Sequence, residues 1–91
     1  MNATNGDGPS AAVKTDDRLR QMIAGVLGVP AAELSDTSSP DTIAAWDSLN
    51  HLNLVMALES EFGVSLSPED ALEMRTVGLM RDILRRNGVE I

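Results

Sequence analysis

Trp46-Asp47-Ser48-Leu49-Asn50-His51-Leu52-Asn53-Leu54-Val55-Met56-Ala57-Leu58-Glu59-Ser60-Glu61-Phe62-Gly63 is the stretch that decides the fold. Asp47 is a good N-cap, worth about 1 kcal/mol to the helix it opens. Gly63 follows the last periodic residue and supplies the left-handed turn that ends a helix. The pair predicts a helix over residues 48–62. At about 100° per residue, the apolar side chains fall on two separate arcs. Leu54, Val55, Leu58 and Phe62 share one arc, the expected core stripe, with His51 among the core-facing residues. Leu49, Leu52 and Met56 share another, which starts beside Ser48. A helix packed on one side needs one stripe. The second is either buried under the preceding loop or kept as a surface for partners, and the partner surface is the preferred reading.

Upstream, Ser35, Asp36, Thr37, Ser38, Ser39, Pro40 and Asp41 are turn formers within a long connection over residues 29–47. A loop of that length in a small domain is functional or packed on itself. Leu34, Ile43 and Trp46 are its expected anchors. Its acidic spacing lacks the central Gly and terminal Glu of a calcium loop. Before it, a helix is predicted over residues 16–27, capped by Thr15 or Asp16, with Leu19, Ile23, Val26 and Leu27 as its buried stripe. Gly28 and Pro30 close it. Residues 1–14 read as a disordered tail, rich in Asn, Gly, Ser and Asp, and residues 15–91 as the folded domain.

Downstream, Ser67-Pro68-Glu69-Asp70 is a strong helix start, with Pro at the first helical position, and leads into a short helix through Met74. A last helix over residues 77–86 has Thr76 as its cap. Val77, Met80, Ile83 and Leu84 face inward, and Arg81, Arg85 and Arg86 suit its negative end. Asn87-Gly88 stops it. No strand pattern appears, so the fold class is all-α, a small bundle of four helices.

The totals set bounds. A folded core of roughly 75 residues buries only about 60% of its unfolded surface, which disfavours a deep enzyme cleft. The chain has no Cys, one His, one Trp, one Phe and no Tyr. Thiolate metal sites and disulfides are excluded, a His-based metal site is disfavoured, and an aromatic platform for nucleic acid is missing. The net charge is −7. Between Arg20 and Arg75 there is no Lys or Arg, while Glu33, Asp36, Asp41, Asp47, Glu59, Glu61, Glu69, Asp70 and Glu73 all fall there. Such a surface repels nucleic acid and anionic membranes and steers toward basic partners, with Glu59 and Glu61 as candidate docking residues. No secretory signal or membrane span is read, so a cytoplasmic monomer is the expectation.

Asp47-Ser48-Leu49, followed by Leu54-Val55-Met56-Ala57-Leu58-Glu59 and Glu61-Phe62-Gly63-Val64, resembles the acyl carrier protein family. The likeness extends over about residues 17–84, including the long first loop and the short third helix. It implies that Ser48 receives 4′-phosphopantetheine from coenzyme A, by the action of a separate phosphopantetheinyl transferase, with Asp47 as the adjacent motif residue. The thiol of that arm would carry an acyl group as a thioester and present it to enzymes of fatty acid, polyketide or lipid-type biosynthesis. Loading ligases or synthases with basic surfaces would dock on Leu49, Leu52, Met56, Glu59 and Glu61. A phosphodiester on Ser48 would sit at a helix N-terminus, where free N–H groups and the dipole favour an anion.

Asn50 and Asn53 stand where the fatty-acid carriers have acidic residues, and Trp46 stands where they have a small one. These departures imply a specialised carrier. A peptidyl or aminoacyl carrier would use the same serine, and an unmodified helical adaptor would use the same fold. An Asp47–Ser48–His51 triad is the enzymatic alternative. Adjacent Asp and Ser cannot easily flank one imidazole, and no oxyanion donors are evident. Trp46 reads as a core plug under the long loop, or as a wall beside the arm.

Overall fold

A computed structural model describes residues 11–91, with side chains from residue 13 onward. Among the described residues there are four α-helices and no strand: α1 (Ala11–Leu27), α2 (Ser48–Phe62), α3 (Pro68–Glu73) and α4 (Val77–Arg86). A single 3₁₀ turn, Ala31–Glu33, interrupts the long loop between α1 and α2. Among the described residues no helix is long and apolar enough to cross a membrane.

The first helix starts at or before Ala11, not at residue 16. Residues 11–14, expected in the tail, are helical, while the tail expected over residues 1–10 lies outside the described residues. Thr15 and Asp16 are therefore not caps. Asp16 instead takes Arg20 one turn on, at 3.1 Å, and Arg81 of α4, at 2.7 Å. The other helix ends follow local chemistry. Asp47 Oδ1 accepts from the Asn50 amide at 2.8 Å, and Gly63 ends α2 with φ 64°, a conformation only glycine adopts freely. Ser67 and Asp70 form a reciprocal capping box at the start of α3. Thr76 Oγ1 accepts from the Leu79 amide and caps α4.

The core is built from the expected stripes. Leu19, Ile23 and Leu27 of α1 meet Leu54 and Leu58 of α2 and Val77, Met80, Ile83 and Leu84 of α4, all of them buried. Each such side chain contributes about 1.5–3 kcal/mol on full burial. Trp46, Leu34 and Met74 close the core from the connections, while Ile43, Val26 and Phe62 pack against it half-buried. Ile91 is also buried, and Arg85 donates to its carbonyl at 2.9 Å, which ties the last residue to α4.

The long loop is fastened from within. Ser38, buried, lends its hydroxyl oxygen to the Ser35 amide at 2.9 Å and its carbonyl to the Val77 amide at 3.2 Å. The Gly78 amide donates to the Asp36 carbonyl at 2.9 Å. A Cβ at Gly78 would lie 3.2 Å from that same oxygen, so glycine permits the close approach of α4 to the loop. Asp36 completes a four-residue ionic cluster with Asp16, Arg20 and Arg81, which joins α1, the loop and α4. Burial pushes the Asp16 carboxyl up, but hydrogen bonds from Arg81 and Arg20 outweigh it and hold the group below the usual carboxylate range. The Asp36 carboxyl is held low chiefly by its hydrogen bond from Arg81. Arg81 is in turn raised, first by Asp36. The expectation that Arg81 serves the α4 dipole is thus replaced by a tertiary role.

Candidate functional site

Ser48 is the first residue of α2 and is exposed. In the first turn of any helix the backbone N–H groups lack intrahelical acceptors. In α4 the protein supplies them: the loop takes Val77 and Gly78, and Thr76 takes Leu79. In α2 the Asp47 side chain takes Asn50, but the amides of Ser48 and Leu49 have no acceptor among the described residues. An anion on Ser48 Oγ would meet two open N–H groups and the positive end of a dipole. Asp47 points its carboxylate at the Asn50 amide, so its charge is engaged by the helix it caps. The residues present therefore fit a phosphodiester at this position.

Beside Ser48 lies a groove of about 470 Å³ whose lining is mainly apolar. Trp46, His51, Leu72 and Met74 form its walls, with Asp47 and Arg75 at its edge. Trp46 is the core plug expected of it, and it also lines this groove. Its side chain is 2% exposed and belongs to the core, and one part of it faces the groove. A larger groove of about 580 Å³ lies by the end of α1 and the long loop, and none of the candidate site residues line it.

The Trp46 indole Nε1–H donates to His51 Nδ1 at 3.0 Å, and His51 Nε2 lies 2.8 Å from the Ala71 carbonyl of α3. A carbonyl only accepts, so Nε2 carries the ring proton and Nδ1 is the acceptor. The two rings lie within 17° of parallel, with centres 6.3 Å apart. Both imidazole nitrogens are thus committed, and His51 has no lone pair left for the Ser48 hydroxyl. The triad reading fails on this geometry. The structural role expected for His51 holds, and its partners are now specified.

Asn50 Nδ2 donates to the Ala45 carbonyl at 2.7 Å, and Asn53 Nδ2 donates to Asn50 Oδ1 at 3.2 Å. A carboxylate at position 50 could not make the first bond and would repel the carbonyl. The amide thus holds the end of the loop against α2, a reason for Asn here that sequence comparison alone does not give.

Leu49, Leu52 and Met56 are 68%, 57% and 54% exposed, so the second arc is not covered by the loop. Leu72 of α3 is 77% exposed. Glu59 and Glu61, expected beside them as docking residues, are engaged within the fold. Glu59 Oε2 accepts from the Leu66 amide at 2.9 Å, which fixes the connection to α3. Glu61 takes Arg18 at 2.7 Å, and that guanidinium also lies over the Phe62 ring, 5.1 Å from its centre. Their partners are too distant in sequence to be read locally.

Comparison with known proteins bears on this arrangement. The family described as "Phosphopantetheine attachment site" matches residues 17–84, well over half of the chain. The solution structure of a holo acyl carrier protein from Geobacter metallireducens superimposes with a TM-score of 0.71 at 27% identity, over 80% of this chain and 84% of that one. The apo doublet acyl carrier protein from prodigiosin biosynthesis matches with a TM-score of 0.67 at 21% identity, over 92% of this chain and 42% of its own length, a likeness of fold. The covalent cofactor is accordingly 4′-phosphopantetheine, and the chain is a carrier, not an enzyme. A helical bundle whose second helix opens at an exposed Ser48, matched along most of its length by that family, belongs to the phosphopantetheine attachment site family as a carrier of the acyl carrier protein type.

Proposed function

We propose that this chain is an acyl carrier serving a specialised pathway of fatty acid, polyketide or lipid-type biosynthesis, with Ser48 as the residue that bears the arm. The observation that carries this reading is the open start of α2. Ser48 is exposed, and two amides with no acceptor among the described residues, together with a helix dipole, favour an anion on it. When bound, the arm supplies a thiol that forms a thioester with the cargo. The chain's own residues do the rest. Asp47 and Asn50 fix the start of α2, so the attachment point is held rigidly. Leu49, Leu52 and Met56 offer an apolar face next to Ser48 on which a transferase and loading enzymes dock. Glu59 and Glu61, being used internally, are not assigned to that face. Tethering keeps the cargo at high effective concentration for any enzyme docked there. Asn50, Asn53 and Trp46, where the fatty-acid carriers differ, support the specialised pathway over the housekeeping one.

The test is the intact mass after incubation with coenzyme A, magnesium and a broad-specificity phosphopantetheinyl transferase. Wild type should gain one phosphopantetheine and Ser48→Ala none. A gain in both variants would move the attachment point. No gain in either, with a cognate transferase as well, would make the unmodified adaptor the better account.

A further inference from the structure

Five arginines are spoken for inside the fold. Arg18 holds Glu61, Arg20 and Arg81 hold Asp16 and Asp36, Arg85 holds Asp82 and the Ile91 carbonyl, and Arg86 holds Asp70 and Glu73. Arg75 is the remaining one. Its side chain has no hydrogen bond or ion pair among the described residues, although the surrounding sequence is strongly acidic. Even Glu73, two residues away, turns to Arg86. Arg75 lines the same groove as Ser48. The other polar groups of that groove are already committed: Asp47 to the Asn50 amide, and His51 through both ring nitrogens. Arg75 is thus the basic group of the groove, exposed and left unpaired by the fold.

We infer that Arg75 is a positioning residue for the arm, closing its guanidinium on the phosphodiester carried by Ser48. The inference rests on the reading of Ser48 as the attachment point. A planar guanidinium offers parallel N–H donors that match two phosphate oxygens, which a point charge does not. The anion would then be held from two sides, by the Ser48 and Leu49 amides at the start of α2 and by Arg75 from the connection after α3. This second contact also offsets the repulsion between the phosphodiester and the Asp47 carboxylate. It directs the first bonds of the arm across the groove instead of outward along α2.

The experiment uses nitrogen-15-labelled full chain, before and after loading from coenzyme A, with completeness checked by intact mass. Arg75→Gln and Arg75→Lys are carried alongside, and both should fold as wild type because the Arg75 side chain makes no hydrogen bond or ion pair among the described residues. The expected result is a shift and slowed exchange of the Arg75 Nε–H on loading. The phosphorus resonance should move in Arg75→Gln and lie between the two in Arg75→Lys. Complete loading with an unchanged Arg75 Nε–H and the same phosphorus shift in Arg75→Gln would overturn the inference and leave the carrier reading intact. Absence of any mass gain would remove both. Acetyl and succinyl forms make the last comparison: an Arg75 that responds to the succinyl form alone, and not to the bare arm, would assign the guanidinium to a cargo carboxylate and overturn the phosphate contact.

Discussion

Removing the link between Trp46 and His51 should cost stability in a way that separates a polar contact from simple packing. The Trp46 side chain is 2% exposed, and its N–H has His51 Nδ1 as its acceptor. His51→Leu leaves that N–H, on a side chain almost wholly buried, without its protein partner. The cost of a buried unsatisfied donor is about 1–3 kcal/mol. The Ala71 carbonyl also loses its donor, but Ala71 is half-buried, so hydration recovers much of that loss. The sum is about 2–3 kcal/mol, a substantial part of the roughly 0.05–0.15 kcal/mol per residue that stabilises a typical domain. At about 4–8 °C per kcal/mol for a domain of this size, the melting temperature should fall by roughly 10–20 °C. Trp46→Phe keeps most of the ring and strands the imidazole acceptor instead, at about 1–2 kcal/mol. In the double variant neither partner is stranded, since both are apolar, so its loss should be smaller than the sum of the single losses by about 1–1.5 kcal/mol. Urea unfolding followed by far-ultraviolet circular dichroism is the assay, because Trp46 is the sole tryptophan and its fluorescence vanishes in two of the variants. Single losses that add to within about 0.3–0.5 kcal/mol would refute the reasoning and reduce the contact to packing.

The remaining predictions concern the charged groups. Asp47→Ala should destabilise the chain by about 1 kcal/mol through loss of the cap on the Asn50 amide, measurable as a lower urea midpoint with unchanged slope. Arg81→Met should cost about 1–2 kcal/mol after allowance for the exposure of Asp36, because it leaves Asp16 and Asp36 with fewer donors, and the loss should shrink in high salt. Asp16, Asp36 and Asp70 have carboxyls held below their unfolded value, so what they contribute is fully present above the ordinary carboxylate pKa of about 4 and is lost as pH falls through the depressed folded values. A melting temperature flat from pH 5 downward to pH 2, about the range in which carboxylates titrate, would count against that linkage.

How far the sequence can be read depends on whether the deciding chemistry is local. Both ends of α2 and of α4 were legible because the caps, Asp47 and Thr76, and the stops, Gly63 and Asn87-Gly88, lie next to the residues they serve. The start of α1 was not. Asp16 and Asp17 look like first-turn acids, yet Asp16 answers to Arg81, a partner 65 residues away. Glu61 likewise has a distant partner that no local pattern shows, Arg18 at a separation of 43. Ser38 read as a turn former, and its buried hydroxyl and its carbonyl contact with Val77 had no signal of their own. At the candidate site, the arc of Leu49, Leu52 and Met56 was visible from spacing, whereas Ser48 was singled out by the resemblance of the Asp47-Ser48-Leu49 motif. His51 could be placed on the inner side of α2, but its acceptor is a backbone carbonyl, which no side-chain pattern reveals. Arg75 drew no notice because its distinction lies in what every other arginine does.

The short helix α3 carries one more consequence. It has no buried residue of its own. What holds it is the His51 bond to Ala71, the pair of bonds from Arg86 to Asp70 and Glu73, and Met74, buried just beyond its end. Polar contacts at the rim are worth little against water, so this segment should detach at a smaller free energy than is needed to melt α1, α2 and α4. Its amides should therefore exchange with solvent deuterium long before those of the other helices. The groove at Ser48 thus has one wall in the core, at Trp46, and a facing wall on α3 that polar contacts hold in place.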